Sequence, residues 1–291
     1  MKKINFILLF SFLFSFYNFN SEDWVFISEP DIINSITEDS FYIYFLANNG
    51  IYSYDKMNED FFYNIDLSYN LVDEEKYYIH YHKSTDYFFI FTQNYILSKS
   101  SVSSRWKKYP LSSFNIHSFY SIEQIGFSDN NLYLELYSGY IQIDLFTMNS
   151  INLGEIDNIG DIYWLFYNAS DLDLSNYYTL DNSLINSNSI EDISDSEHFV
   201  TSYMLDRNEN LWIGMDSGAI YQVDDFSYNI ERIDAGPRVK YVSGLYNDDK
   251  YNWYFFDNYF RRTGNYSYQN NGYFLSIWNE KDNDWIHIPK N

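Results

Sequence analysis

Few side chains in this sequence are grouped in a way that could do chemistry, and each group has a bland counterpart. Asp206-Arg207-Asn208-Glu209-Asn210 places oxygen-bearing side chains at alternate positions, the ligand pattern of a calcium loop. It lacks the glycine and the bidentate glutamate at the far end; the alternative is a tight turn whose Asp and Asn bond local backbone. Asp248-Asp249 and Asp282-Asn283-Asp284 carry the same two readings. His80 and His82 lie two apart on a strand-like run, hence on one face, the β geometry of a two-imidazole metal clip. Asp86 could complete that clip, and the other reading is a half-exposed pair on a strand. His117, His198 and His287 are isolated. Neither a Gly-x-Ser-x-Gly elbow nor a glycine-rich phosphate loop occurs. The 41 acidic residues guarantee chance carboxylate pairs, none in a context that marks a glycosidase. No catalytic, cofactor-binding or metal-ligating residue is nominated, and any cofactor is limited to weakly held calcium. Trp164, Trp253 and Trp278 read either as packing or as platforms for a sugar or a peptide.

Composition narrows the classes further. A net charge of −23 argues against nucleic acid and against anionic membrane surfaces. A hydrophobic fraction of 46% argues against disorder. Zero cysteine excludes thiolate zinc sites, iron–sulfur clusters, cysteine nucleophiles, disulfides and an acylated lipoprotein anchor. Met1-Lys2-Lys3 followed by an apolar run to Phe19 reads as a signal peptide over residues 1–20, although Phe16 to Asn20 lacks small residues for cleavage. The alternative is an uncleaved anchor. Removal takes two lysines away and makes the chain two units more acidic, with no further segment apolar enough to insert in a membrane.

The elements that must position these residues are strands. From about residue 24, runs of Tyr, Phe, Ile, Leu and Val are divided by Asn, Asp, Ser and Gly. Phe41 to Leu46, Asn49-Gly50 and Ile51 to Asp55 predict a hairpin. Tyr87–Leu97, Leu132–Asp144 and Leu211–Val223 repeat it, and Tyr251–Phe256 with Tyr273–Trp278 gives a pair with a longer loop. The turn positions Gly50, Asn94, Gly139, Gly218 and Gly272 are 44, 45, 79 and 54 residues apart. Such spacing predicts the blades of a β-propeller, about 40–50 residues each. The gap of 79 predicts a degenerate blade built from Asp161–Asn168 and Tyr177–Ile193. The fold expected is thus all-β: about six four-stranded blades over residues 21–291, with five or seven as alternatives.

Outer strands are expected at Phe61–Tyr63, Trp106–Tyr109, Ile151–Leu153 and Trp285–Ile288. Trp24–Ile27 looks like another, suited to closing the ring on the last blade, where Trp285–Ile288 already competes for the place. Abundant aromatics fit sheets packed face to face.

Asp206 to Tyr221, with Asn210-Leu211-Trp212-Ile213-Gly214 at its centre, resembles the two-component-regulator propeller repeat. Residues 47–55, Ala-Asn-Asn-Gly-Ile-Tyr-Ser-Tyr-Asp, are similar to its second half. Met215 stands where Thr is usual and Ala219 where Gly or Leu is common. The resemblance implies a propeller used for recognition, as in sensor ectodomains and free-standing envelope proteins.

The function expected is a non-catalytic exported propeller in the periplasm, at the cell surface or outside the cell, binding a glycan or protein partner. The alternative is a secreted carbohydrate-active propeller enzyme, a hydrolase or lyase. The irregular stretch Asn168–Ser196 is expected to project and carry partner contacts.

Overall fold

The computed structural model describes residues 29–154, 162–165, 169–179, 183–191, 197–224, 228–238, 242–248, 250–257, 273–281 and 284–289. The leader over 1–20, the strand-like Trp24–Ile27, and Asp249, Gly272 and Asp282-Asn283 lie outside these residues.

The described residues form five antiparallel meanders. Sheet A comprises β1 (Ile33–Glu38), β2 (Tyr42–Ala47), β3 (Gly50–Asp55) and β4 (Phe61–Tyr63). Sheet B comprises β5 (Lys76–His82), β6 (Tyr87–Thr92), β7 (Tyr95–Ser100) and β8 (Lys107–Pro110). A single helical turn, α1 (Ile65–Ser68), separates them, its first turn capped by the Asn64 side chain on Leu67 N–H. Sheet C comprises β9 (Ile122–Phe127), β10 (Asn131–Leu136), β11 (Gly139–Asp144) and β12 (Ser150–Leu153), with β13 (Tyr163–Leu165) paired to β9.

Sheet D is built on β17 (Glu197–Leu205), β18 (Leu211–Met215), β19 (Ile220–Asp224) and β20 (Asn229–Ile233). Three short strands extend it: β14 (Tyr178–Thr179) on β20, then β16 (Ser189–Glu191) on β17 and β15 (Leu184–Ile185) on β16. Sheet E comprises β21 (Val242–Asn247), β22 (Asn252–Asp257), β23 (Tyr273–Asn279) and β24 (Asp284–Pro289).

The predicted hairpins are the second and third strands of these sheets, and the predicted outer strands are β4, β8, β12 and β24. The degenerate blade is corrected. Among the described residues its two parts form no sheet of their own, since Tyr163–Leu165 joins sheet C and 178–191 joins sheet D. Nor do the described parts of 168–196 project freely. Leu174 and Ile190 are fully buried, and Ala169, Leu172, Tyr177 and Ile185 pack with them against sheet D. This stretch covers a sheet face that would otherwise expose Val200, Ile213 and Tyr221.

Packing is face to face. Sheet A lies on sheet D through Ile33, Phe45, Tyr54, Trp212 and Ile220, and its other face lies on sheet B through Tyr44, Leu46, Phe88 and Ile90. Sheet B in turn meets sheet C through Phe89, Phe91, Phe127 and Leu134. Second strands are therefore apolar on both faces, and β2, β6 and β18 are almost wholly buried. Sheet E has its own small core of Phe255 and Trp278, with Trp253 and Trp285 against it.

Hydroxyls on the first strands tie neighbouring sheets. Tyr81 N–H donates to Thr37 Oγ1 at 3.0 Å and Ser35 Oγ donates to the Ile79 carbonyl at 3.4 Å. Thr201 and Ser202 both donate to the Ile33 carbonyl, at 2.7 and 2.9 Å. Register advances together along each pair (35 with 79, 37 with 81), so β1 and β5 run parallel. Ile33 beside Ser202 and Ser40 beside Arg207 give β1 and β17 the same sense. His82 bonded to the Ser128 carbonyl and Ser84 to Asp129 do so for β5 and β9. Each sheet also carries a register shift near the start of its first strand, at Ile33/Ser35, Lys76/Tyr78, Val200/Ser202 and Val242/Gly244, with its counterpart in sheet C at Glu135/Leu136. Four sheets in face-to-face sequence with parallel first strands make an arrangement compatible with a β-propeller.

Candidate functional site

Parallel first strands have a direct geometric result. In a meander, the turns after strands one and three lie at the same end, so these turns of sheets A to D all gather on one face. The cavities follow them.

The first cavity is a cleft of about 500 Å³ where sheets A, D and E meet. Tyr54, Phe61 and Trp285 supply aromatic wall, and Asn208, Gln222 and Glu231 supply polar groups. Trp285 is held in place by stacking on His287 (5.7 Å, 7° between planes) and on Trp278 (6.2 Å, 26°). Arg232 lines the cleft with Nη2 3.8 Å from Glu29 Oε1. Asp234 links sheet D to sheet E, accepting from Arg238 Nε at 2.8 Å and lying 3.4 Å from His287 Nε2. Burial, reinforced by the carboxylates of Glu59 and Glu231, pushes the Tyr54 phenol up to about 12. It stays a neutral donor and acceptor throughout the physiological range.

A second cavity of about 380 Å³ is lined by the first strands β1, β5 and β17 and by β13. Tyr78, Tyr81, Tyr163 and Tyr203 face it, with Arg207 at the end where the turns gather. A third hollow lies between the first turns of sheets B and C, beside Lys83, Ser84, Asp129 and Asn130. A fourth, described below, is the groove between sheets A and B.

The sequence-predicted residues fall as follows. Asp206 is 6% exposed, and its carboxylate is committed to the turn. It accepts from Asn208 N–H (2.8 Å), Asn210 N–H (2.9 Å) and the buried Trp212 Nε1 (3.0 Å). Burial alone would raise this carboxyl, but the bonds from Trp212 and Asn210 outweigh it and hold the group below its usual range. The turn reading of 206–210 thus has a full set of partners in the structure. Asp248 repeats the device, accepting from Lys250 and Asn252 N–H and from the Tyr254 hydroxyl. Asp39 does so with Phe41 and Tyr42 N–H and the Tyr44 hydroxyl. Sequence reasoning missed this shared theme: an aspartate closing the first turn, with an aromatic donor five or six residues on.

His80 and His82 share a face, but their nitrogens do not converge on a metal. His82 bonds Thr85 Oγ1 at 2.8 Å and the Ser128 carbonyl at 3.0 Å. His80 stacks on Phe127 at 4.3 Å and lines the second cavity, among the first strands. Burial pushes the His80 imidazole down to about 3, with His82 adding to the effect. Asp86 accepts instead from the Tyr81 hydroxyl at 2.8 Å. Among the described residues no group of three His, Asp or Glu is placed to hold a metal ion. His117 is exposed and His287 stacks on Trp285. Trp278 is buried, Trp164 packs against Tyr140, and Trp253 Nε1 donates to Glu280. Trp285, an outer-strand residue by its sequence, lines the first cleft together with the buried Trp212.

No helix among the described residues is long and apolar enough to cross a membrane. No family model matches the chain, and no curated protein does. Among solved structures it is similar to the extracellular domain of BT4673 of B. thetaiotaomicron, named as a hybrid two component system. The identity is 13% over 89% of this chain and 41% of that one, with a TM-score of 0.35. It is similar to PorZ, a surface component of the type-IX secretion system of Porphyromonas gingivalis, at 13% identity over 91% and 39%, TM-score 0.34. AztD from Citrobacter koseri gives 11% identity over 69% and 45%, TM-score 0.32. The chain spans less than half the length of each, and likeness at this level assigns neither ligand nor activity.

Proposed function

We propose that this chain is a non-catalytic, exported binding module of β-propeller architecture. Its ligand is a glycan, engaged on the face where the turns after strands one and three gather. One observation carries the reading: each of these four cavities is lined in part by residues of those turns (Glu59 and Asn208, Arg207, Lys83 and Asp129, Asp39 and Ser103), with aromatic walls beside amide, hydroxyl and carboxylate groups. An aromatic face packs against the apolar face of a sugar ring, while flanking polar groups bond its hydroxyls. The cleft under Trp285 is the best-furnished of these. Titration calorimetry against a panel of soluble glycans tests the reading, with Trp285→Ala as the site variant. Saturable binding that weakens about tenfold in the variant is expected, the scale of one well-placed aromatic contact. A variant that binds every glycan as the wild type does would remove the site from consideration.

A further inference from the structure

The groove between sheets A and B holds a buried cation that makes no direct ion pair among the described residues. Lys99, on β7, is only 3% exposed. Its ammonium donates to the Asp66 main-chain carbonyl within α1 and lies 5.9 Å from the centre of the Trp106 ring. Trp106 Nε1 donates to the neighbouring Leu67 carbonyl at 2.8 Å, so the two side chains together pin α1 to sheet B. Yet Lys99 makes no ion pair among the described residues, in a chain with 41 acidic and 18 basic residues. A buried ammonium without a direct ion pair is costly, and burial draws its proton affinity down against the pull of the nearby Asp66 carboxylate.

The ammonium lines a groove of about 660 Å³. Arg105 is the second cation there, and Asp39 and Asp66 are the acids. Asp39 is already committed to Phe41 and Tyr42 N–H and to the Tyr44 hydroxyl. The lining is therefore neutral in formal charge within a strongly acidic molecule, which admits a monoanion and disfavours a dianion such as phosphate. Around the charged floor stand Tyr69, 63% exposed, and the polar side chains of Asn64 and Ser104.

We propose that this groove is an acidic-sugar subsite in which Lys99 and Arg105 hold the carboxylate of a uronic-acid unit while Tyr69 receives the ring. The assignment to a sugar rests on the glycan-binding reading above; the carboxylate assignment rests on the groove alone. A charge-assisted bond to a desolvated lysine is the stronger kind of hydrogen bond, and Arg adds a planar fork at the mouth.

The test is calorimetry with a tri-uronic-acid oligosaccharide, its fully methyl-esterified form, and an acidic tripeptide, against wild type, Lys99→Met, Arg105→Ser and Trp285→Ala. Lys99→Met keeps most of the side-chain volume while removing the charge near Trp106, and exposed Arg105→Ser gives a second variant independent of α1. Expected are saturable binding of the acid oligosaccharide, a loss of roughly tenfold or more in Lys99→Met and on esterification, and a few-fold loss in Arg105→Ser. Trp285→Ala should keep the preference for the acid over its methyl ester, which separates this subsite from the cleft. Equal affinity for the ester, unchanged affinity in both groove variants, or absence of saturable binding at millimolar ligand would overturn the proposal. Tighter binding of the tripeptide than of the oligosaccharide would overturn the sugar assignment.

Discussion

Tyr81 N–H donates to Thr37 Oγ1 at 3.0 Å across the seam between sheets A and B, and the two residues are 44 positions apart in sequence. That is the interval between the turn residues Gly50 and Asn94. The sequence period is therefore also a contact: β1 offers the Ser35 and Thr37 hydroxyls to the main chain of the equivalent strand one repeat on, as Thr201 and Ser202 of β17 do to β1. Thr37→Val removes the acceptor at nearly constant volume and leaves a partly buried N–H unmatched. It should cost about 1–2 kcal/mol in urea unfolding. A change within experimental scatter would mean the seam does not depend on this bond.

Gly214 is required by its neighbour, not by its backbone. A Cβ there would lie 2.4 Å from Ile33 Cγ2 and 2.4 Å from Ser202 Oγ, because β1 of sheet A crosses directly over β18. Gly214→Ala should destabilise by about 1–3 kcal/mol through overpacking, whereas Gly154→Ala, with open space around it, should be near neutral. Thermal melts of the two variants measured side by side decide this.

Asp206 organises its turn and supplies the acceptor for Trp212, which is 1% exposed and packs on Phe45 and Tyr54 of sheet A. Asp206→Ala strands the indole N–H and two backbone donors, a loss of about 2–4 kcal/mol. Because the folded carboxyl is held below its ordinary range, its contribution is present above about pH 4 and lost as pH falls through the folded value. Chemical denaturation at pH 7 and at pH 3 should therefore show a larger gap between variant and wild type at pH 7. An equal gap at both would contradict the role given to the charge.

Legibility followed aromatic density. The second and third strands, such as Phe88 to Phe91 and Tyr95 to Leu97, announced themselves because both faces are buried and both are apolar. The first strands did not: Ile33–Glu38 reads Ile-Asn-Ser-Ile-Thr-Glu, its Ser and Thr chosen for bonds between sheets that no local pattern reveals. The 79-residue gap suggested a missing blade since spacing alone cannot distinguish a worn sheet from a segment, like 169–190, that covers a sheet face. At the candidate site, Trp285 was visible as a strand residue, but its place in a cleft comes from the meeting of three sheets. Lys99 carried no signal at all, because a lysine in Leu-Ser-Lys-Ser looks solvent-facing until sheet A is laid over it.

His80 gives a prediction of the same sense as Asp206, with its onset at higher pH. In the unfolded chain its imidazole takes a proton below about pH 6.5, while in the fold it does so only near 3. Stability it contributes is present above about 6.5 and is lost as pH falls from there toward 3, about 1–2 kcal/mol between pH 7 and pH 5. His80→Phe, which keeps the stack on Phe127, should flatten that decline in urea midpoints. NMR should find the wild-type His80 ring unprotonated at pH 5, and a normal titration near 6.5 would contradict the burial assigned to it.

The central claim is that the cavity-bearing face binds glycan without altering it. The most direct measurement incubates the wild-type protein with a panel of neutral and acidic polysaccharides, reading binding by calorimetry and product release by mass spectrometry of the same samples. Saturable binding of at least one glycan, with no shortened product and with loss of affinity in the cavity variants, is the predicted result. Release of shortened chains, or binding to none of the panel, would contradict it.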